Sequence, residues 1–173
     1  MTATFVVVGG DAAGMSAASK AKRDDPSLEV IVFEMGQWVS YGACGLPYYV
    51  KGEIESLDDL VSLTPEEFID DRDIDLRLGH EVTAIDTADK TVTVEADGES
   101  FDQAYDTLLI STGARALEPP IDGMDLDGVF TLHSMHEGGA VRDFIETKDP
   151  DSVGLIGGGY IGLEMAEAFR GRG

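Results

Sequence analysis

An apolar run that breaks on a glycine turn and continues as a helix-patterned segment occurs twice in this chain. No other feature limits the fold as strongly. The first copy is Thr4–Val8, then Gly9-Gly10-Asp11-Ala12-Ala13-Gly14, then small and basic residues at helical spacing through Arg23. The second is Val153–Ile156, then Gly157-Gly158-Gly159-Tyr160-Ile161-Gly162, with Leu163–Arg170 as its helix. Short unbroken apolar runs of this kind are buried parallel strands, and parallel strands need a crossover to return. Asp24-Asp25-Pro26 ends the first helix, and Leu28–Glu34 is a second apolar strand with an acid at its end. The chain therefore opens on a βαβ unit, and the expected class is α/β of Rossmann type.

Between the two copies the pattern predicts smaller elements. Leu57–Asp71 is expected to be helical in part, with Thr64 as N-cap, Pro65 at the first helical position and Glu67 closing a capping box. Asp75–Leu78, His80–Asp86 and Thr91–Glu95 read as short strands, with Ala96-Asp97-Gly98 as a turn. Tyr105–Ser111 is a further apolar strand running into Thr112-Gly113, Pro119-Pro120 and Asp122-Gly123 mark a linker, and His133–Thr147 is expected to be a helix. The division expected is one domain over 1–115 and the start of a second over 116–173. A Rossmann unit needs another strand after its helix, so the chain is expected to be the N-terminal part of a longer protein.

Composition narrows the partners. Lys and Arg number 12 against 34 Asp and Glu, a net charge of −22, which repels nucleic acid and anionic membrane surfaces. Hydrophobic residues at 43% supply a core, which sets the chain apart from disordered acidic tails. Such a surface suits a salty cytoplasm, where dense ions screen the self-repulsion, and poor folding at low salt is expected. No apolar run reaches the roughly 18–20 residues that span a bilayer. Met1–Val8 lacks a basic leader and reads as a strand, and with one cysteine in the chain a reducing cytoplasm is expected. His80, His133 and His136 lack thiol or paired partners at metal spacing, so no metal site is expected.

The glycine turns carry the first chemistry. In the first, Gly9 permits the tight turn and Gly14 the close packing of helix on strand, so that a pyrophosphate rests on N–H groups at the helix start. Asp11 stands where a glycine is usual, and its carboxylate must point away from a phosphate or meet water or a cation. Glu34, twenty residues past Gly14, is placed to accept from ribose hydroxyls. Gly157, Gly159 and Gly162 form a complete second fingerprint. Two dinucleotide sites imply two cofactors, an electron relay and a nicotinamide donor. Cys44 carries the second chemistry. It is the only cysteine, so a redox cycle within one chain runs through a mixed disulfide or a sulfenic acid. Gly42 and Gly45 let a ligand approach, and Leu46-Pro47-Tyr48-Tyr49 reads as a helix opening that favours a thiolate at Cys44. Tyr41, Tyr48 and Tyr49 add aromatic walls.

Val6–Ala17, Phe33-Glu34, Ser40–Val50, Leu63–Phe68, His80-Glu81-Val82, Ser111–Arg115 and Gly157–Glu167 together resemble the single-cysteine branch of the pyridine nucleotide-disulfide oxidoreductases. That branch holds coenzyme A-disulfide reductases and their NADH oxidase, persulfide reductase and NADH peroxidase relatives. The resemblance implies a Rossmann-like FAD-binding domain with a short antiparallel meander, then the start of an NAD(P)H domain. It implies FAD binding by Gly9, Gly10, Ala12, Ala13, Gly14, Glu34 and Met35, with Val82 near the adenine and Thr112, Gly113 and Arg115 on the flavin side. NAD(P)H would meet Gly157, Gly159, Tyr160, Ile161, Gly162 and Glu164. Cys44 would be catalytic, and Lys20, Arg23, Ser40 and Arg72 would meet coenzyme A. The acceptor implied is CoA disulfide, a related thiol or persulfide, or oxygen, in a homodimer. Ala43 replaces an Asn common among the CoA-disulfide reductases, which keeps the oxidase and persulfide roles open. Two other readings stand beside this one: a ferredoxin-reductase-like flavoprotein in which Cys44 is structural, and a non-catalytic nucleotide-binding remnant.

Overall fold

The computed structural model describes Thr2–Gly173. In chain order the elements are β1 (Thr4–Val8), α1 (Ala12–Asp24), β2 (Glu29–Glu34), α2 (Leu46–Lys51), α3 (Pro65–Ile69), β3 (Asp75–Leu78), β4 (Glu81–Asp86), β5 (Thr91–Ala96), β6 (Glu99–Ala104), β7 (Thr107–Ile110), α4 (Met135–Lys148) and α5 (Tyr160–Arg172). Single 3-10 turns cover Ala43–Gly45 and Leu57–Leu60. The chain divides into two compact units. One holds the residues up to Tyr41 and Val61–Gly113, the other Gly42–Leu60 and Ala114–Gly173.

The first unit is built on a parallel sheet of order β3-β2-β1-β7, with Val6 opposite Ile31 on one side and Leu108 on the other. Its central strands are buried on both faces, which explains their unbroken apolar sequences. Strand alternation sorts the side chains. Val7, Val30 and Val32 pack with Met15 and Ala18 of α1 and with Phe68, Ile74 and Leu76. Val6, Ile31 and Phe33 face the other way and pack with Val92 and Val94 of β5. β5 is the middle strand of the antiparallel meander β4-β5-β6, whose β5–β6 turn carries positive φ at Asp97 (53°) and Gly98 (79°), the hairpin geometry favoured by Asp-Gly. The α/β class with a parallel sheet and a short antiparallel meander is thus as the sequence implied.

Two helix starts are closed by their own side chains. Thr64 Oγ1 accepts from Glu67 N while Glu67 Oε2 accepts from Thr64 N (2.8 Å), the capping box expected for α3. α4 begins at Met135, not His133, because Ser134 and Glu137 form a second box there.

In the second unit, α2 packs against α4 and α5. Leu46 and Val50 are buried, and a Cβ at Gly138 of α4 would come within 2.6 Å of Leu46 Cδ2, so α4 approaches closely there. Val153–Ile156 is not the buried strand expected. It is irregular, with Ile156 84% exposed. A strand exists through its ladder, and among the described residues no strand pairs with this segment. Among the described residues, no helix is long and apolar enough to cross a membrane.

Candidate functional site: two glycine turns and a thiol segment

The first glycine turn is shaped by contacts that only glycine tolerates. Gly9 holds φ 102°, and a Cβ there would stand 2.4 Å from Ser111 O. A Cβ on Gly14 would stand 1.9 Å from Gly9 O, so α1 starts hard against the turn. Ser111, past the end of β7, ties the two strand ends together: its hydroxyl is shared between Val8 O (2.9 Å) and Gly9 O (3.1 Å), and its N–H donates to Val8 O (2.8 Å). Sequence reading did not single out Ser111 as a site residue. The available signal was its position after an apolar strand, at the C-terminal edge of the sheet, where ligands of such folds bind.

Glu34 sits at the end of β2, half-buried and held by backbone on both oxygens. Gly10 N donates to Oε2 and Gly36 N to Oε1, each at 2.7 Å. The carboxylate is therefore fixed beside the turn, and each oxygen keeps a further lone pair for a hydroxyl. Gly9, Gly10, Gly14 and Glu34 are brought together as their spacing implied. Ala12 and Ala13 are exposed in the first turn of α1. Asp11 occupies the N-cap position in extended conformation, yet its side chain makes no cap bond, and its buried Oδ1 has no partner among the described residues. Asp is among the best capping residues, so its turning away leaves the first N–H groups of α1 without a side chain over them. Met35 is 71% exposed and lines a cleft of about 660 Å³ with Gly36, Gly79, Glu81 and Asp97. Val82 packs partly buried against the core beneath β5. Thr112 and Gly113 are exposed beyond Ser111, and Arg115 is exposed in the second unit.

The basic candidates lie in the first unit. Arg72 Nη1 donates to Ser19 Oγ of α1 (2.8 Å), with its guanidinium 4.9 Å over Phe68. Ser19 is followed by Lys20 and lies one turn before Arg23, so Arg72 joins the α1 candidates at one helix. Lys20 is paired with Asp24, and Arg23 is exposed. Ser40 has positive φ (50°), and its carbonyl accepts from Ser62 N (2.8 Å).

The second unit carries the thiol and the second turn. Cys44 is exposed in the 3-10 turn Ala43–Gly45. The helix opens at Leu46 as the sequence suggested, with Gly45 as the N-cap of α2 and Pro47 in the first turn, so Cys44 stands one residue ahead of the N-cap. Gly42 N donates to Leu60 O (2.8 Å) and Gly45 N to Gly42 O (2.9 Å), which fixes the backbone on both sides of Cys44. A Cβ on Gly45 would stand 2.2 Å from Leu60 Cδ2, so Leu60 packs where only glycine leaves room. Tyr49 is buried and Tyr48 is 53% exposed. The second glycine turn repeats the first in one measure: a Cβ on Gly162 would meet Gly157 O at 2.2 Å. Gly157 has φ 113°, and Gly159 is the N-cap of α5 with no side chain to cover its N–H groups. Tyr160, Ile161 and Glu164 are exposed along α5.

A parallel βαβ sheet, a glycine turn after its first strand, a fixed carboxylate after its second and an uncovered helix start define an α/β dinucleotide-binding protein. The sequence profile of the pyridine nucleotide-disulphide oxidoreductases matches residues 3–173, and the chain belongs to that family. The NAD(P)H sulfur oxidoreductase (CoA-dependent) of Pyrococcus abyssi is 46% identical over 170 residues, 98% of this chain and 37% of the relative. The NAD(P)H coenzyme A polysulfide/persulfide reductase of Pyrococcus horikoshii is 44% identical over 100% of this chain and 38% of the relative. The solved structure of reduced Bacillus anthracis CoADR-RHD superposes with a TM-score of 0.95 at 35% identity, covering 99% of this chain and 31% of that one. The chain thus spans a little over a third of the length of the curated relatives it matches. Cofactors of the family are a pyridine nucleotide and a flavin of the FAD type.

Proposed function

We propose that this chain is the cofactor-binding and thiol-bearing part of an FAD-dependent NAD(P)H oxidoreductase that works through Cys44 on CoA disulfide, a related thiol or persulfide, or oxygen. The observation that carries the reading is the exposure of Cys44 in a backbone-fixed turn, in a member of a family named for pyridine nucleotides and disulfides. A cysteine kept only for packing is normally buried, which argues against a structural role.

Residues 1–115 are the FAD-binding part and 116–173 the start of the NAD(P)H part. The residues present fit an ADP-type group: Gly9 and Gly14 leave space that a Cβ would fill, the α1 start is open, and Glu34 is pre-fixed as an acceptor. Gly10, Ala12 and Ala13 line that start, Met35 and Val82 belong to the adenine side, and Thr112, Gly113 and Arg115 to the flavin side. Gly157, Gly159, Tyr160, Ile161, Gly162 and Glu164 hold the nicotinamide nucleotide. When bound, this pair supplies a hydride and its conversion to electrons that sulfur can accept. The Cys44 thiolate attacks one sulfur of a disulfide substrate, breaking its S–S bond and releasing the other half as a thiolate, and two electrons and two protons then reduce the resulting mixed disulfide to two thiols. Arg72, Lys20 and Arg23 bind the phosphates of coenzyme A, Ser40 meets the same substrate, and the whole protein is a homodimer of a reducing cytoplasm. Its carboxylate-rich surface fits a salt-adapted source, for which cooperative folding in dilute buffer would be the contrary result.

The test is Cys44→Ser in the whole protein. Turnover with CoA disulfide, persulfide and oxygen is expected to fall by orders of magnitude. Unchanged turnover with all three would remove the thiol mechanism. A purified protein that is yellow and bleaches with NADH supports the cofactor assignment, and a colourless one that takes up no FAD opposes it.

A further inference from the structure

The C-terminal end of α2 is held by two arginines from two other helices. α2 has six residues, far below the about 12–15 at which an isolated helix is marginally stable, so tertiary contacts set its position. Its last carbonyls have no partner further along the helix. Gly52, Glu53 and Ile54 N–H groups all turn back to Tyr48 O. Tyr49 O also accepts from Gly52 N (3.0 Å), and Arg142 of α4 reaches it together with two carbonyls past the helix: Nη1 donates to Tyr49 O (3.2 Å), Ile54 O (2.8 Å) and Glu55 O (3.2 Å). The same guanidinium lies 4.4 Å from the centroid of the Tyr49 ring, and its Nε donates to Glu146 Oε1 at 2.7 Å. Arg172 of α5 donates from Nε to Val50 O (2.5 Å) and reaches the same Glu146 oxygen from Nη2 (3.4 Å). The Arg142 side chain is 18% exposed and that of Arg172 23%. One carboxylate therefore joins two cations that seat α2, and one of them belongs to the helix opened by the second glycine turn.

We infer that Arg142 is a positioning residue for Cys44, fixing through α2 the turn that carries the thiol, with Glu146 linking that seat to α5. This rests on the reading of Cys44 as the reacting thiol. A helix this short spans about 9 Å and moves as one piece. Cys44 stands just ahead of it, Leu46 is clamped under Gly138, and the other end is anchored by the guanidinium. Geometry explains why arginine is needed. One planar group bonds three carbonyls, stacks on a ring and pairs with a carboxylate, whereas a lysine ammonium is a point charge on a flexible stem.

The experiment compares Arg142→Ala, Arg142→Lys and Glu146→Gln by hydrogen exchange and by the rate of Cys44 alkylation with iodoacetamide. The peptide 29–39, in the other unit, reports global folding. Arg142→Ala is expected to speed exchange over 42–54 by about tenfold or more, as expected for losing charged hydrogen bonds. It should change the alkylation rate at least about threefold with 29–39 unaffected. Added methylguanidinium should restore both, methylammonium should not, and Arg142→Lys should behave like the alanine variant. If Arg142→Ala fails to fold, Glu146→Gln keeps every bond to carbonyl and should still raise exchange over 42–54 by about twofold or more. Unchanged exchange in 42–54, an unchanged alkylation rate, or equal rescue by methylammonium would overturn the inference. None of these readouts depends on turnover, so a catalytically silent Cys44→Ser result would sink the proposed function and leave this result standing on its own.

Discussion

Gly14→Ala and Gly162→Ala place the same methyl at the same motif position in two settings, and they are expected to differ. In both, alanine improves helix propensity over glycine by about 1 kcal/mol. At Gly14 the new Cβ lies 1.9 Å from Gly9 O, whereas ordinary contact begins at 3.4 Å, so about 1.5 Å must be found. The opposing atom is backbone. Gly9 is itself pinned by its N–H to Phe33 O (2.9 Å) and by the Ser111 hydroxyl on its carbonyl. Overpacking of a site that cannot yield costs about 1–3 kcal/mol, and disturbing the Ser111 bonds about 1 more. Subtracting the propensity gain leaves a net loss of about 2 kcal/mol, close to 30-fold in the unfolding constant. At Gly162 the Cβ meets Gly157 O at 2.2 Å, but a Cβ at Gly157 would find nothing within 4 Å, and among the described residues no strand pairs with the segment before it. That carbonyl can swing aside, so the net effect is expected between about 0 and 1 kcal/mol of stabilisation. Urea unfolding separates the two cases. Trp38, the only tryptophan, is half-buried in the first unit and reports it by fluorescence, while circular dichroism follows the helices. Equal losses in both variants would refute the claim that the support behind the turn, rather than the motif itself, sets the cost.

Other predictions concern single carboxylates. Glu34→Gln places an amide N–H against one of two backbone donors, Gly10 N or Gly36 N, which costs about 1–3 kcal/mol in a lost acceptor. Calorimetry with ADP or FAD should show affinity lower by about tenfold or more, and wild-type affinity would remove Glu34 from the site. Glu137 is pushed upward by burial, but hydrogen bonds from Thr131, Ser134 and His133 outweigh this and hold it below its usual 4.5. Its folded value is depressed, so its contribution to α4 is present above about pH 4.5 and is lost as pH falls through the lower folded value. A pH series of α4 exchange should show protection falling in that acid window, and Glu137→Gln should flatten the dependence. The net charge of −22 predicts that the urea midpoint rises with KCl well beyond the Debye-screening range of dilute buffer. A midpoint independent of salt would count against a salt-adapted surface.

How much was legible follows from where each signal comes from. β1 and β2 were readable because strands buried on both faces leave unbroken apolar runs, and Val6 and Val7 do face two different cores. The α3 cap was readable because Thr64 and Glu67 carry their partners within three residues. Val153–Ile156 misled because its sequence is that of a buried strand, while strand formation depends on a neighbour that sequence pattern does not name. Ser111 and Arg142 were invisible for another reason. Their partners are about 100 and 90 residues away in sequence, Val8 and Gly9 for one, Ile54 and Glu55 for the other. A serine after a strand and an arginine in an acidic helix carry no local signature for such contacts.

The two helix starts at the glycine turns are also a reserve of stability that the chain leaves unspent. α3 and α4 close their first turns with Thr64–Glu67 and Ser134–Glu137, and α1 and α5 do not. Gly159 has φ −75°, which any residue adopts, so serine there would fit the backbone and add a few tenths of a kcal/mol as an N-cap. Selection for heat resistance without ligand would therefore reward Gly159→Ser. Selection for nucleotide binding would reject the same change, because the new hydroxyl would claim the N–H groups an anion needs. Position 159 is where breeding this protein for robustness and breeding it for work pull in opposite directions.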